Sequence, residues 1–306
     1  MKKALCILAL ILIVVGGALM FATFPTMLAE HEQAKEEYTV VSEALKDRYK
    51  NIEIHAINAE VTVTNAADTR PVLEAKTDPA YRVVVETNGN NLVVKEIDTR
   101  KWYQKIGVFS PKPGKIEVRL DDGVYAELDV RNTNGDITVK APEHTVSIKD
   151  IYTKTVNGDT KIEIPGDFVT CESKNGDLSI VIDRGADQTR GTTSLVKAMT
   201  TNGNINDSSI AANKSLISGN GRIMSFGTFG ILYGKTVNGD ICLNRVFGEK
   251  ITVESVNGKI TATITQPMKY ITSTKNGRVK VPEKTGGNAF EASTTNGNIS
   301  IELVGN

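Results

Sequence analysis

Nine residues stand directly after the Asn-Gly pairs from Asn134 onward: Asp136, Asp159, Asp177, Asn204, Arg222, Asp240, Lys259, Arg278 and Asn298. The first three, Asp136, Asp159 and Asp177, are of a type that could hold a calcium ion or act as acid and base on a polysaccharide. Stacked like charges are otherwise unfavourable, which makes the series worth weighing. Against this stands turn chemistry, because aspartate beside Asn-Gly is what a solvated corner favours. The turn reading is preferred, and no catalytic, cofactor or metal residue is assigned. Arg222, Asp240 and Lys259 form an alternating-charge series worth little at an exposed site.

Other chemical patterns fail on spacing. Gly230-Ile231-Leu232-Tyr233-Gly234-Lys235-Thr236 places its first glycine one residue too close for a phosphate loop, and no helical pattern follows. No Gly-x-Ser-x-Gly elbow occurs, and no histidine lies beside a repeat cysteine as the base of a nucleophile would. Three cysteines cannot make a disulfide framework, and His31, His55 and His144 are too scattered for a metal centre. Trp102, the single tryptophan, sits with Tyr103 and Phe109 among Arg100, Lys101 and Lys105. It could anchor a ligand or a membrane interface, but the preferred reading is a loop that folds its aromatics onto the body of the protein. The 36 basic residues balance 36 acidic ones, which removes the broad positive field that nucleic-acid binding needs.

The elements that position these residues are set by a repeat. Asn-Gly occurs at Asn88 and again at Asn134, Asn157, Asn175, Asn202, Asn220, Asn238, Asn257, Asn276 and Asn296, the last nine separated by 23, 18, 27, 18, 18, 19, 19 and 20 residues. Two residues before the asparagine stand Asn132, Thr155, Ser173, Thr200, Ser218, Thr236, Ser255, Thr274 and Thr294, so eight of nine carry a small hydroxyl. Three residues after it eight of nine are aliphatic, Thr160 being the exception. Alternation with period two flanks each corner, as in Ile251-x-Val253-x-Ser255 and Ile260-x-Ala262-x-Ile264, so each unit is strand, corner, strand.

Asn-Gly is also a hairpin signal, so a meander of hairpins fits the local pattern. Nine hairpins would make eighteen strands, beyond the roughly ten at which open sheets usually curl or split. A meander, moreover, does not require identical residues at equivalent positions, whereas stacked coils do. The expected fold is all-β: a single-stranded right-handed parallel β-helix, one unit per coil, with an amino-terminal β-cap and a transmembrane helix before it. Asn and Gly would supply left-handed backbone at the corners, and nine coils would stack to about 43 Å.

The expected domains are 1–25, a signal-anchor helix; 26–50, a juxtamembrane stalk; 51–130, an irregular β-cap; and 131–306, the solenoid. Strands are expected at 51–63, 71–76, 81–87, 91–97 and 115–120, with a hairpin at Asn88-Gly89. The aliphatic run Ile299 to Val304 would leave an open edge at the carboxy end. Cys171 falls on an inward position and Cys242 on an outward one, three coils apart and too far for a disulfide.

Residues 4–24 form an uncharged apolar run, about 31 Å long as a helix, with Lys2 and Lys3 before it and Glu30, Glu32, Glu36 and Glu37 after it. This implies an uncleaved anchor with its short amino end cytoplasmic. Cys6 lies near the start of the run and not after it, so a lipid attachment is not indicated.

Thr-Asn-Gly-Asp at 133–136, Val-Asn-Gly-Asp at 156–159 and 237–240, and the stretch from Arg100-Lys101-Trp102-Tyr103 to Ile106-Gly107 resemble the "putative adhesin" domain family of bacterial envelope proteins, a domain of unknown function. The resemblance runs from Asn51 to the end and implies a right-handed β-helix on the bacterial surface. The expected protein is therefore a single-pass membrane protein with an extracytoplasmic carboxy-terminal domain. It is expected to be a non-enzymatic surface or interaction module that uses no cofactor and binds no nucleic acid. Surface proteins or glycans would be its partners. The alternatives are a carbohydrate-active β-helix enzyme and a self-assembling architectural envelope protein.

Overall fold

The structure is a computed structural model that describes residues 12–16, 38–45, 49–66, 71–105, 111–141, 146–182, 193–283 and 285–304. Two sheets make up the body, one of 13 strands and one of 12, and every pairing along the repeat is parallel. Each unit gives one strand to each sheet. The Asn157 unit, for example, places Val146–Asn157 in the 12-stranded sheet and Thr160–Glu163 in the 13-stranded one. Register is kept corner to corner, with Asn157 opposite Asn134 and Asn175, and Asn175 opposite Asn202. One coil per unit is therefore the architecture, and the hairpin meander is excluded. Aliphatic side chains from both sheets fill the space between them: Ile137, Leu178, Ile205, Ile223, Ile241 and Ile260 form one buried column, Leu128, Val169, Val196, Leu232 and Ile251 its counterpart.

The segment 51–130 also contributes to the stack. Asn51–His55 and Ala59–Asn65 form a coil, with the corner at 56–58, where the sequence suggested a single strand. Asn91–Asp98 and Gly114–Leu120 form the next. The coil of 51–65 lies between that of 91–120 and that of Asn134. Because the chain does not wind in sequence order here, no period is visible. Antiparallel strands Thr39–Ala44, Val72–Thr77 and Tyr81–Asn88 cover the end of the stack, the last forming the expected hairpin with Asn91–Asp98.

The carboxy end departs from the sequence reading in the same way. Lys250–Ser255 and Lys269–Thr274 both pair with Ala289–Thr294, and Ile260–Ile264 and Val279–Lys280 both pair with Ile299–Leu303. The Asn296 coil is thus inserted between those of Asn257 and Asn276, and the run from Ile299 pairs along its length with Ile260–Ile264 and, at Ile299 and Ser300, with Val279 and Lys280 on its other side. Burial accounts for the order. Phe290, Ala292, Ile299 and Ile301 are buried, whereas in the Asn276 coil Tyr270 and Thr272, the counterparts of Phe290 and Ala292, are half-buried and Val279, the counterpart of Ile299, is exposed. The more apolar coil occupies the doubly covered position, and the coil carrying Lys269, Lys275, Arg278 and Lys280 takes the end, where basic residues discourage further strand addition.

Leu12–Gly16 is helical. The rest of the expected membrane helix lies outside the described residues, and among these no helix is long and apolar enough to cross a membrane.

Candidate functional site

The repeated corner is held by three ladders. Each asparagine Nδ2 donates to the Oδ1 of the neighbouring coil, from Asn134 to Asn276, over 2.7–2.8 Å. Inside, each Ser or Thr hydroxyl donates to the corner glycine carbonyl of the adjacent coil over 2.8–3.4 Å. The hydroxyl column is thus a bonding requirement as well as a matter of size. Outside, the Asp159 amide donates to Asp136 Oδ1 at 2.8 Å and the Asp177 amide to Asp159 Oδ1 at 2.7 Å, a pattern continued by Asn204, Arg222 and Lys259. The aspartate series serves the backbone of the next coil, and among the described residues no group of three His, Cys, Asp or Glu side chains is placed to hold a metal ion.

Left-handed backbone is not what selects the corner residues. Of the nine corner glycines only Gly135 and Gly158 have positive φ, 132° and 156°, and no corner asparagine does. Close approach is the reason. From Gly158 onward, a Cβ at each corner glycine would lie 1.8–2.2 Å from the glycine carbonyl oxygen of the neighbouring coil.

Gly230 to Thr236 lies within the strand Thr228–Thr236, so it forms no phosphate loop. Cys171 is buried and Cys242 partly exposed, both as free thiols in the expected orientations. Burial pushes the Cys171 thiol up to about 12. Trp102 is 75% exposed, which corrects the expectation that it folds inward. Its short helix, Trp102–Lys105, follows Asp98, whose carboxyl is lowered to about 2 chiefly by its hydrogen bond from Arg100.

Two groupings were missed in the sequence. Lys214 occupies an inward position in the column of Val196 and Leu232, Asp207 one in the column of Ile180 and Ser225, and they meet across the core with both side chains fully buried. Lys214 Nζ donates to Asp207 Oδ2 and the Ser209 carbonyl at 2.6 Å and to the Phe226 carbonyl at 2.8 Å, which uses its three protons. Asp207 accepts from the Ser209 amide and hydroxyl and from the Ser225 hydroxyl. With every position filled, the pair is a structural tie.

The second grouping is a cleft of about 430 Å³ where the asparagine ladder ends, between the coils of 51–65, 91–120 and Asn134. Ile57 and Ile97 supply apolar surface, Lys95 and Arg131 are its cations, and the buried Glu96 and Asn132 also line it. Lys95 is paired with Glu86, and Arg131 with Asp129 while resting over the Tyr152 ring. Glu96 Oε2 accepts from the amides of Ile57 and Asn58 at 2.6 and 2.8 Å. The visible signal in the sequence was Asn132, the one non-hydroxyl member of its column.

No curated protein matches the chain. Similar solved structures include one described as a "putative cell adhesion protein" from Clostridium sporogenes, 8% identical with a TM-score of 0.36, over 88% of this chain and 100% of that one. A "putative adhesin" from Bacteroides fragilis is 13% identical with a TM-score of 0.37, over 87% and 97%. A "putative lipid binding protein" from Parabacteroides distasonis is 14% identical with a TM-score of 0.41, also over 87% and 97%. The family model described as Toastrack DUF4097 matches residues 49–306, which takes in all nine Asn-Gly coils and every strand of both sheets but Thr39–Ala44, and the chain belongs to that family.

Proposed function

We propose that the chain is a single-pass membrane protein whose right-handed solenoid stands outside the cytoplasm as a non-enzymatic, adhesin-like display surface for proteins or glycans. The observation that carries this reading is the use of the corner chemistry. The repeated asparagines, hydroxyls and aspartates bond to the next coil, so the repeat supplies rigidity and not an acid–base pair. The apolar run at 4–24, flanked by lysines before and glutamates after, supports the anchor and its orientation. Trp102, exposed and flanked by cations, follows the strand Asn91–Asp98 near the end of the stack that Thr39–Ala44 covers, and suits a membrane interface. The basic end coil argues against coil-on-coil polymerisation.

Orientation is tested by replacing Ser147 with cysteine in a chain whose Cys242 is serine. Labelling by an impermeant maleimide on intact cells is the expected outcome. Labelling confined to lysed cells would overturn the reading.

A further inference from the structure

The outer face of the 12-stranded sheet changes character along the stack. Its middle four strands, Phe168–Asn175, Thr193–Asn202, Ala211–Ser218 and Thr228–Thr236, turn Phe168, Leu195, Met199, Ile217, Ile231 and Tyr233 outward. Phe168 and Ile231 are 50% and 49% exposed, although a solvated sheet face ordinarily carries polar side chains. On the strands to either side the same columns become charged, with Asp150 and Lys154 before the patch and Lys250 and Glu254 after it. Lys154 pairs with Glu172 on the next strand, and Lys235 pairs with Glu254 in the same way. Both pairs run from lysine to glutamate in the same direction along the stack.

We propose that this face binds the same face of a second copy of the chain, about a two-fold axis that runs along the strands midway between Thr193–Asn202 and Ala211–Ser218. The pairing goes beyond the display reading and does not depend on where the amino end is anchored. The strand registers fix which side chains meet. Reversal of the stack about that axis sets Phe168 over the partner's Ile231 and Met199 over the partner's Ile217. It sets Asp150 over the partner's Lys250, Lys154 over the partner's Glu254 and Glu172 over the partner's Lys235. Each ion pair thus lies on its counterpart in reverse, and every charge in it gains a second counter-ion. Lys197, beside the axis, comes within one strand step of the partner's Tyr233 ring, which favours a cation. Within these three columns the one like-charged meeting is Asp129 with the partner's Glu291, and each keeps its own cation, Arg131 and Lys250. A two-fold axis along the stack would instead set Phe168 over Glu172 and Ile231 over Lys235, covering charge with apolar surface. The face is therefore complementary to itself in the reversed arrangement. From Val146–Asn157 to Lys250–Ser255 it spans about 24 Å by 13 Å of backbone, which with side-chain margins buries about 1,200 Å² over the two copies, the lower end for a specific interface.

The test is sedimentation equilibrium of the full chain in detergent, up to about 0.5 mM, with an expected dimer Kd on the order of 10–100 μM for an interface of this size. Phe168→Ser and Lys154→Glu, both at exposed positions, are each expected to weaken dimerisation at least about tenfold at an unchanged melting temperature. Lys154→Glu combined with Glu254→Lys is expected to recover it to within about threefold, because the two positions stand about 24 Å apart in one copy and meet only between copies. A monomer throughout the range would leave the face to a partner of other chemistry and overturn the proposal. A dimer indifferent to both single substitutions, or one that the double substitution fails to restore, would overturn it as well.

Discussion

A Cβ at Gly239 would stand 2.0 Å from the Gly221 carbonyl oxygen, a contact that only a shift of one coil against the next can relieve. Gly239→Val is therefore expected to destabilise by at least about 1 kcal/mol, the scale of overpacking a close-fitted site, and Gly239→Ala should share most of that loss. Thermal denaturation measures both, and an unchanged melting curve for the valine variant would remove the close-approach account of the corners. Lys214 makes a different demand. Lys214→Met leaves Asp207 buried without its counter-ion, so a loss of about 3–5 kcal/mol is expected. Asp207→Leu in the same chain should recover part of it, because the uncompensated charge is gone. Additive losses in the double variant would mean that the two do not act as a pair. The sequence made the corner glycines visible because the same steric demand recurs in every coil. It showed Lys214 and Asp207 only as charges within otherwise aliphatic columns, and their meeting across the core depends on which two columns face each other.

Coil order is a property of the elements and is hidden from the residue pattern, since every unit carries the same corner and could stack on any other. What distinguishes the last two is apolarity: Phe290, Ala292, Ile299 and Ile301 against Tyr270, Thr272 and Val279. With the Asn296 coil inside, Ile299–Leu303 is paired along its length with Ile260–Ile264 and at Ile299 and Ser300 also with Val279–Lys280, and the amides of Lys269–Thr274 and Val279–Lys280 lie at the sheet ends. Hydrogen exchange should be at least about tenfold slower over 299–303 than over 269–280, the difference between interior and fraying strands. Faster exchange at 299–303 would restore the sequence-order stack. The amino end obeys the same logic. Individual strands there were legible from alternation, but the coil of 51–65 was not, because its neighbours in space are 91–120 and 123–140. Its cleft was legible only as an exception, Asn132 in a column of hydroxyls.

From Asn134 to Asn257 the molecule is a stack in which one repeat advances the chain by one strand spacing, and from this follow its thin core, its rigidity and its long outer faces. Thr138 and Thr261 occupy the same outward column, six coil steps apart through Lys161, Ser179, Asn206, Met224 and Cys242. At about 4.8 Å per step their separation is about 29 Å. In a meander, where each unit adds two strands to one sheet, the same residues would be about 58 Å apart. Double electron–electron resonance between spin labels at Thr138→Cys and Thr261→Cys, in a chain whose native cysteines are serine, measures this distance directly. A narrow distribution near 29 Å, broadened only by the label arms, is the expected result, and one centred near 58 Å would contradict the coil-per-unit solenoid.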